Sequence, residues 1–204
     1  MYKIWHFVIT GGPCSGKTTG LNILKPYFEG KGFKVIVVPE TATQVIDSGI
    51  PYQEVPKRAF QESIFDISFI KEETTKKLAK YLSDFHNKDI IIFYDRGLMD
   101  GQAYIFPEIF SKILKERNFS EEEVKARYDA VFHLVTAADG AEEFYNLSNT
   151  ARTETPEVAR MLDKKTYEAW VGHKKLYRFD NSTDFKTKIQ KLVDKVEEEI
   201  KSTK

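Results

Sequence analysis

Residues 11–18 read Gly-Gly-Pro-Cys-Ser-Gly-Lys-Thr, which satisfies G-x-x-x-x-G-K-T. An apolar stretch, Ile4–Thr10, precedes the run, and a helix-like stretch, Lys17–Gly30, follows it. A strand, a glycine-rich loop and a helix in this order make a cradle for phosphate. Gly11, Gly12 and Gly16 let the backbone around Pro13, Cys14 and Ser15 curl until amide N–H groups point inward. The following helix adds its positive end. Lys17 is then expected to reach the β- and γ-phosphates of a triphosphate, and the Thr18 hydroxyl to ligate its Mg²⁺, with Thr19 beside it. A plain turn would explain the glycines but not Lys-Thr at this offset.

The remaining sequence has to supply a fold that presents such a loop. Five short apolar runs stand out: Ile4–Thr10, Lys34–Val38, Asp89–Tyr94, Ala130–Thr136 and Leu176–Phe179. Helix-like stretches separate them, which argues for a parallel sheet covered on both faces. The expected order is 2-3-1-4-5, with the first strand central. The chain has 204 residues, enough for one domain, 1–204, with a real core. Lys plus Arg and Asp plus Glu both total 31, so no general basic character suggests a nucleic-acid partner. One cysteine excludes an internal disulfide and a Cys-rich zinc site. No apolar run reaches the ~20 residues of a membrane span. The N-terminal apolar run has no basic segment before it, so it reads as a strand rather than a signal peptide, and the expected location is cytoplasmic.

Helix boundaries are marked by their ends. Gly30 and Gly32 stop the first helix. Pro56 opens a long one reaching about His86, with Phe60, Ile64, Ile67, Leu78, Leu82 and Phe85 expected on one buried face. Ser120 and Glu123 form a capping box, and Thr155-Pro156 reads as an N-cap and first helical residue. The last helix is expected to bury Phe185, Ile189, Leu192, Val193, Val196 and Ile200, with its charged remainder in water.

Further candidate site residues sit where the runs end. Asp95 closes the third run at the position expected of a Mg²⁺ partner, and Arg96 follows it; a strand-end ion pair is the competing reading. Glu40 follows the second run and is either a proton acceptor or metal-water holder, or an acid favoured by a helix N-terminus. Phe60 and Gln61 are candidates to stack on and hydrogen-bond a planar acceptor, Phe60 being also a core candidate. Arg152 and Arg160 flank Thr153-Glu154-Thr155-Pro156 and can neutralise charge on a transferring phosphoryl group, unless both are surface residues. Asp180 and Asn181 either flank a nucleotide base or cap the final helix. His173 has no paired ligand and is not read as a metal site.

Among chains with such a loop, a guanine-reading N-K-x-D is missing: Asn87-Lys88-Asp89 lacks the fourth-place Asp and precedes a middle strand. A ring-forming ATPase would carry a further helical domain. Kinases fit better, because roughly 50 residues between the second and third runs can form an acceptor lobe, about 40–88, and the segment of about 139–172 a lid.

The blocks Thr10–Thr19, Pro39–Thr43, Tyr94–Gly97 with Asp100, Ala151–Pro156, Trp170–His173 and Asp180–Ser182 resemble, in that order, the P-loop domain of NadR-type nicotinamide riboside kinases and of the translocation-defect proteins, often labelled AAA-like. The later blocks are closer to the translocation-defect branch. The resemblance implies a three-layer α/β fold of the nucleoside- and nucleotide-kinase type, a Mg-ATP or Mg-GTP site over residues 11–19, and a lid. Two functions stay open: phosphoryl transfer to a small hydroxyl or phosphate acceptor, or a regulatory nucleotide-binding module with slow hydrolysis and a protein or membrane-surface partner.

Overall fold

The computed structural model describes residues 2–145 and 154–203. Five parallel strands, β1 (Ile4–Thr10), β2 (Lys34–Val38), β3 (Ile90–Asp95), β4 (Ala130–Leu134) and β5 (Leu176–Phe179), form one sheet in the order β2-β3-β1-β4-β5. The order expected from the sequence is the one found. The third strand runs one residue further than the apolar run, through Asp95, and the fourth stops at Leu134 rather than Thr136.

The helices are α1 (Lys17–Gly30), α2 (Thr41–Asp47), α3 (Lys57–His86), α4 (Pro107–Glu116), α5 (Glu121–Lys125), α6 (Pro156–Trp170) and α7 (Phe185–Ser202), with a short 3₁₀ segment at Leu98–Tyr104. The central strands are buried on both sides, which explains their unbroken apolar composition. Trp5, Phe7, Ile9, Ile91, Phe93, Phe132 and Leu134 face α1 and α7, meeting Leu24, Phe28, Leu192 and Val196. Val8, Ile90, Ile92 and Val131 face the opposite way, toward Phe65 of α3, Phe110 of α4 and Trp170 of α6. The result is three layers. Ser120 accepts from the Glu123 amide, and Thr155 from the Val158 amide, so both expected caps are present.

Two expected faces need correction. In α3, Phe60 is buried and Ile64 and Leu82 are partly buried, but Ile67, Leu78 and Phe85 face solvent. The helix carries two apolar stripes, and the apolar spacing alone merges them. Phe185 is also largely exposed, because it sits at the first turn of α7, before the buried series begins at Ile189. Among the described residues, no helix is long and apolar enough to cross a membrane.

His6 on β1 lies 2.9 Å from the Tyr94 hydroxyl on β3, beneath α3. Burial, then the positive charges of Lys76 and Arg127, lower its imidazole from 6.5 to about 4; Glu73 opposes this and Lys80 adds to it. Between those values the unfolded chain holds a proton that the folded chain does not, so stability falls as pH drops through the window. His6→Gln should flatten that fall by roughly 2–3 kcal/mol between about pH 6.5 and 4, measured by urea unfolding at stepped pH. Superimposable pH curves for variant and parent would place the native His6 pKa near its ordinary value instead.

Candidate nucleotide-binding site

β1 delivers the chain into the glycine loop at the carboxyl edge of the sheet. Gly11 has φ 144°, and a Cβ there would lie 2.0 Å from the Leu134 carbonyl oxygen, so β4 approaches too closely for any side chain. Cys14 takes a left-handed φ of 53°, unusual without glycine, and Gly16 follows at 88°. Gly16 caps α1 without a side-chain hydrogen bond, and the first turn holds no acid. The positive end of a 14-residue helix therefore faces the loop with no acidic side chain to offset it. Lys17 is buried and folds back over the loop, with Nζ 3.1 Å from the Gly11 oxygen, 2.9 Å from the Gly12 oxygen and 3.2 Å from Ser15 Oγ. Thr18 and Thr19 are exposed on the first turn.

The loop is held from outside by groups that sequence reasoning missed. Asp163, buried in the middle of α6, accepts from the Gly12 amide at 2.8 Å and the Thr136 amide at 3.0 Å, and meets His133 Nε2 at 3.2 Å. Burial alone would raise its carboxyl; the His133 ring and the two amides outweigh that and hold it below the usual carboxylate range. Thr136 Oγ1 donates to the Pro13 carbonyl, and the Ala137 amide donates to the Cys14 carbonyl at 3.1 Å. The available signal was an acid at position 163 within the series Ala159, Leu162, Thr166, Ala169, where helical spacing calls for an apolar residue.

The tip of β3 builds the other half. Register places Asp95 beside Ile9, next to the loop entrance. Arg96 is in the left-handed region at φ 69°. Its Nε donates to Glu40 at 2.6 Å, and its Nη1 reaches the Gly11 carbonyl at 3.2 Å and Asp100 at 3.4 Å. Burial works against the guanidinium charge, but Tyr104, Glu40, Asp100 and Asp95 outweigh it and push its pKa further up. Asp100 also accepts from Thr10 Oγ1, from the Gly97 amide at 2.8 Å and from Trp170 Nε1 at 3.3 Å. Gly97 is required because Trp170 crosses it: a Cβ would lie 2.7 Å from the indole.

Glu40 stands at the N-cap of α2 without capping it through its side chain; its carboxylate pairs with Arg96 and accepts from Thr43 Oγ1 at 3.0 Å. Lys71 secures α2 by donating to the Pro39 carbonyl at 2.7 Å and Gln44 Oε1 at 2.7 Å. Beneath α2 and α3 lies a cavity of about 380 Å³. Glu40, Phe60, Gln61, Asp95 and Arg96 all line it, so Phe60 is both buried and part of the cavity wall.

The other candidates lie elsewhere. Arg160 donates to the Ala138 carbonyl at 2.6 Å and to Glu157 at 3.1 Å, and it is not among the cavity-lining residues. Arg152 lies outside the described residues. Asp180 and Asn181 do not cap the final helix; Asp184 does, accepting from the Thr187 amide at 3.0 Å. Asp180 instead accepts from Ser182, while Asn181 ties the Thr136 and Asp139 carbonyls to Lys188. His173 is occupied by the Tyr128 carbonyl and the Lys175 amide. Thr18 and Asp95 offer a hydroxyl and a carboxylate, hard oxygen donors that suit Mg²⁺. Among the described residues no group of three or more His, Cys, Asp or Glu is placed to hold a metal ion.

Asp163→Ala should destabilise the fold by about 2–4 kcal/mol, because it strands buried donors, while Asp163→Asn, which keeps an acceptor oxygen, should cost less. Urea unfolding measures both. Equal, small losses would mean that the loop keeps its shape without this carboxylate.

No curated protein matches the chain. Residues 6–188 match the family model described as an AAA domain, and the chain therefore belongs to that family of P-loop, nucleotide-binding domains.

Proposed function

We propose that the chain is a Mg²⁺-dependent, kinase-like phosphotransferase that takes ATP or GTP on residues 11–19 and a small hydroxyl or phosphate acceptor, nucleoside-like in size, in the cavity beneath α2 and α3. The observation that carries this reading is Arg96. Its guanidinium joins the phosphate loop, through the Gly11 carbonyl, to the cavity, through Glu40. Its buried Nη2 has no hydrogen-bond partner among the described residues. A donor held there suits an oxygen carrying charge in transfer.

On this reading the loop amides and Lys17 bind the β- and γ-phosphates. Thr18 and Asp95 would hold the ion, whose charge offsets that of the phosphate oxygens when it is bound. Glu40, oriented by Arg96 and Thr43, accepts the proton of the acceptor hydroxyl. Phe60 and Gln61 position the acceptor, stacking on and hydrogen-bonding a planar group. Asp180 and Asn181 flank the base, and Arg152 neutralises charge on the transferring phosphoryl group.

Arg160 favours a second reading. Its contacts are to Ala138 and Glu157, away from the cavity, as suits a nucleotide-binding module that signals to a protein or membrane-surface partner. A triphosphate-consumption screen against nucleosides, nucleotides and nicotinamide riboside separates the two. Turnover that depends on an acceptor supports the kinase; tight nucleotide binding with no productive acceptor and a nucleotide-dependent partner supports the module.

Lys17→Ala should lower Mg-nucleotide affinity about ten- to a hundredfold, the loss of one charge-assisted phosphate contact of about 1.5–3 kcal/mol. Unchanged calorimetric affinity would remove Lys17 from the phosphates. Asp95→Asn should weaken binding when Mg²⁺ is present and leave metal-free binding nearly intact. Equal losses in both conditions would make Asp95 a structural residue of the strand tip.

A further inference from the structure

α3 has an apolar row that nothing in the described fold covers. Ile67, Ile70, Leu78, Tyr81 and Phe85 are 40, 64, 53, 66 and 80% exposed, while Phe65 and Ala79 of the same helix are buried against the sheet. With Thr74, the row advances in steps of three, four and four residues, so that Ile67 and Leu78, Ile70 and Tyr81, and Thr74 and Phe85 repeat at one interval. Such a hendecad spacing hardly drifts around a straight helix. At 100° and 1.5 Å per residue, the six positions fall within a sector about 80° wide and about 28 Å long. Single exposed apolar residues are ordinary; a continuous row marks a contact surface.

We propose that this row is where two copies of the chain pair, α3 against α3, antiparallel about a two-fold axis. Charge on the helix argues for the second copy and for the direction. Glu73 lies before the middle of the row, and the exposed Lys77 and Lys80 lie after it. Parallel helices would set each charge against its own kind. The antiparallel arrangement sets Glu73 opposite Lys80 while Ile67 meets Phe85, Ile70 meets Tyr81 and Thr74 meets Leu78. Each pairing occurs twice, as an isologous contact requires. Glu73 is half exposed although its Oε1 takes Arg127 at 2.8 Å and Lys76 at 3.6 Å, so part of its carboxylate faces outward.

The row covers roughly 300 Å² per copy, taking a helix about 10 Å wide, below the ~800 Å² of a standard stable interface. The pair is therefore weak and reversible. It lies across α3 from the cavity and does not depend on the chemistry assigned there.

Sedimentation velocity of the full chain from about 5 to about 500 µM, the range in which a weak pair forms, tests the proposal. The parent should move from monomer to dimer. Ile70→Glu combined with Tyr81→Glu, both at exposed positions, should weaken pairing at least about tenfold with an unchanged thermal melt. Lys80→Glu should weaken it, and adding Glu73→Lys should restore it, which a structural role or nonspecific aggregation would not do. A parent that stays monomeric throughout, a dimer indifferent to the double glutamate variant, or a charge swap that melts like the parent yet fails to restore pairing would each overturn the proposal.

Discussion

The phosphate loop of this protein is a backbone shape that would not hold itself. Its curl needs residues in the left-handed region at Cys14 and Gly16. The contact that fixes it comes from about 150 residues away in sequence: Asp163 of α6 binds the Gly12 amide. A buried carboxylate is tolerable only when donors surround it, and here two backbone amides and an imidazole do so. The same interaction decides where α6 lies, because Thr136, at the end of β4, shares the carboxylate. Loop, strand end and helix are thus fixed by one group, and the cavity wall that α6 supplies through Val158, Met161 and Leu162 is fixed with them.

Asp100 does for the tip of β3 what Asp163 does for the loop. It binds Thr10 at the end of β1, the Gly97 amide, Arg96 and Trp170. Trp170 is the last residue of α6, so the two buried acids hold the middle and the C-terminal end of one helix against the carboxyl edge of the sheet. Open parallel sheets bind ligands at this edge. The left-handed backbone at Arg96 is a local strain that the surrounding contacts sustain, and it turns the guanidinium back toward Gly11 and Glu40 instead of on along the strand.

Much of this was legible in the sequence, and for a physical reason. Strands buried on both faces must be apolar throughout, so Ile90–Phe93 and its companions announced a covered parallel sheet, and a loop of this type puts the first strand in the middle. Lys17 and Thr18 sit at a fixed offset from glycines, which makes them readable from spacing. Caps are equally local: Ser120, Glu123 and Thr155 satisfy amides within three residues. The tertiary groups were not legible. Asp163 and His133 are single residues whose partners are distant in sequence, and no local pattern distinguishes Asp163 from a surface acid except its place in an apolar series. Spacing also failed in α3, where Ile64 and Ile67 are three residues apart yet end on different sides, because a long helix can serve a core with one stripe and leave another outside.

The joint between loop and cavity limits what the chemistry can be. Arg96 touches the Gly11 carbonyl with one nitrogen and the Glu40 carboxylate with another. A rigid, planar guanidinium cannot shift at one end without moving the other. A nucleotide that draws the phosphate loop tighter would therefore alter the setting of Glu40, and a group in the cavity that competes for Glu40 would be felt at Gly11. A lysine could not transmit this, since an ammonium is a point charge on a flexible stem. The coupling is useful to either proposed function. In a transferase it lines up acceptor and triphosphate only when both are present; in a regulatory module it carries the state of the nucleotide to the surface formed by α2. In either case the Glu40 carboxylate, shared between Arg96 and Thr43, is the group through which the cavity acts on the loop.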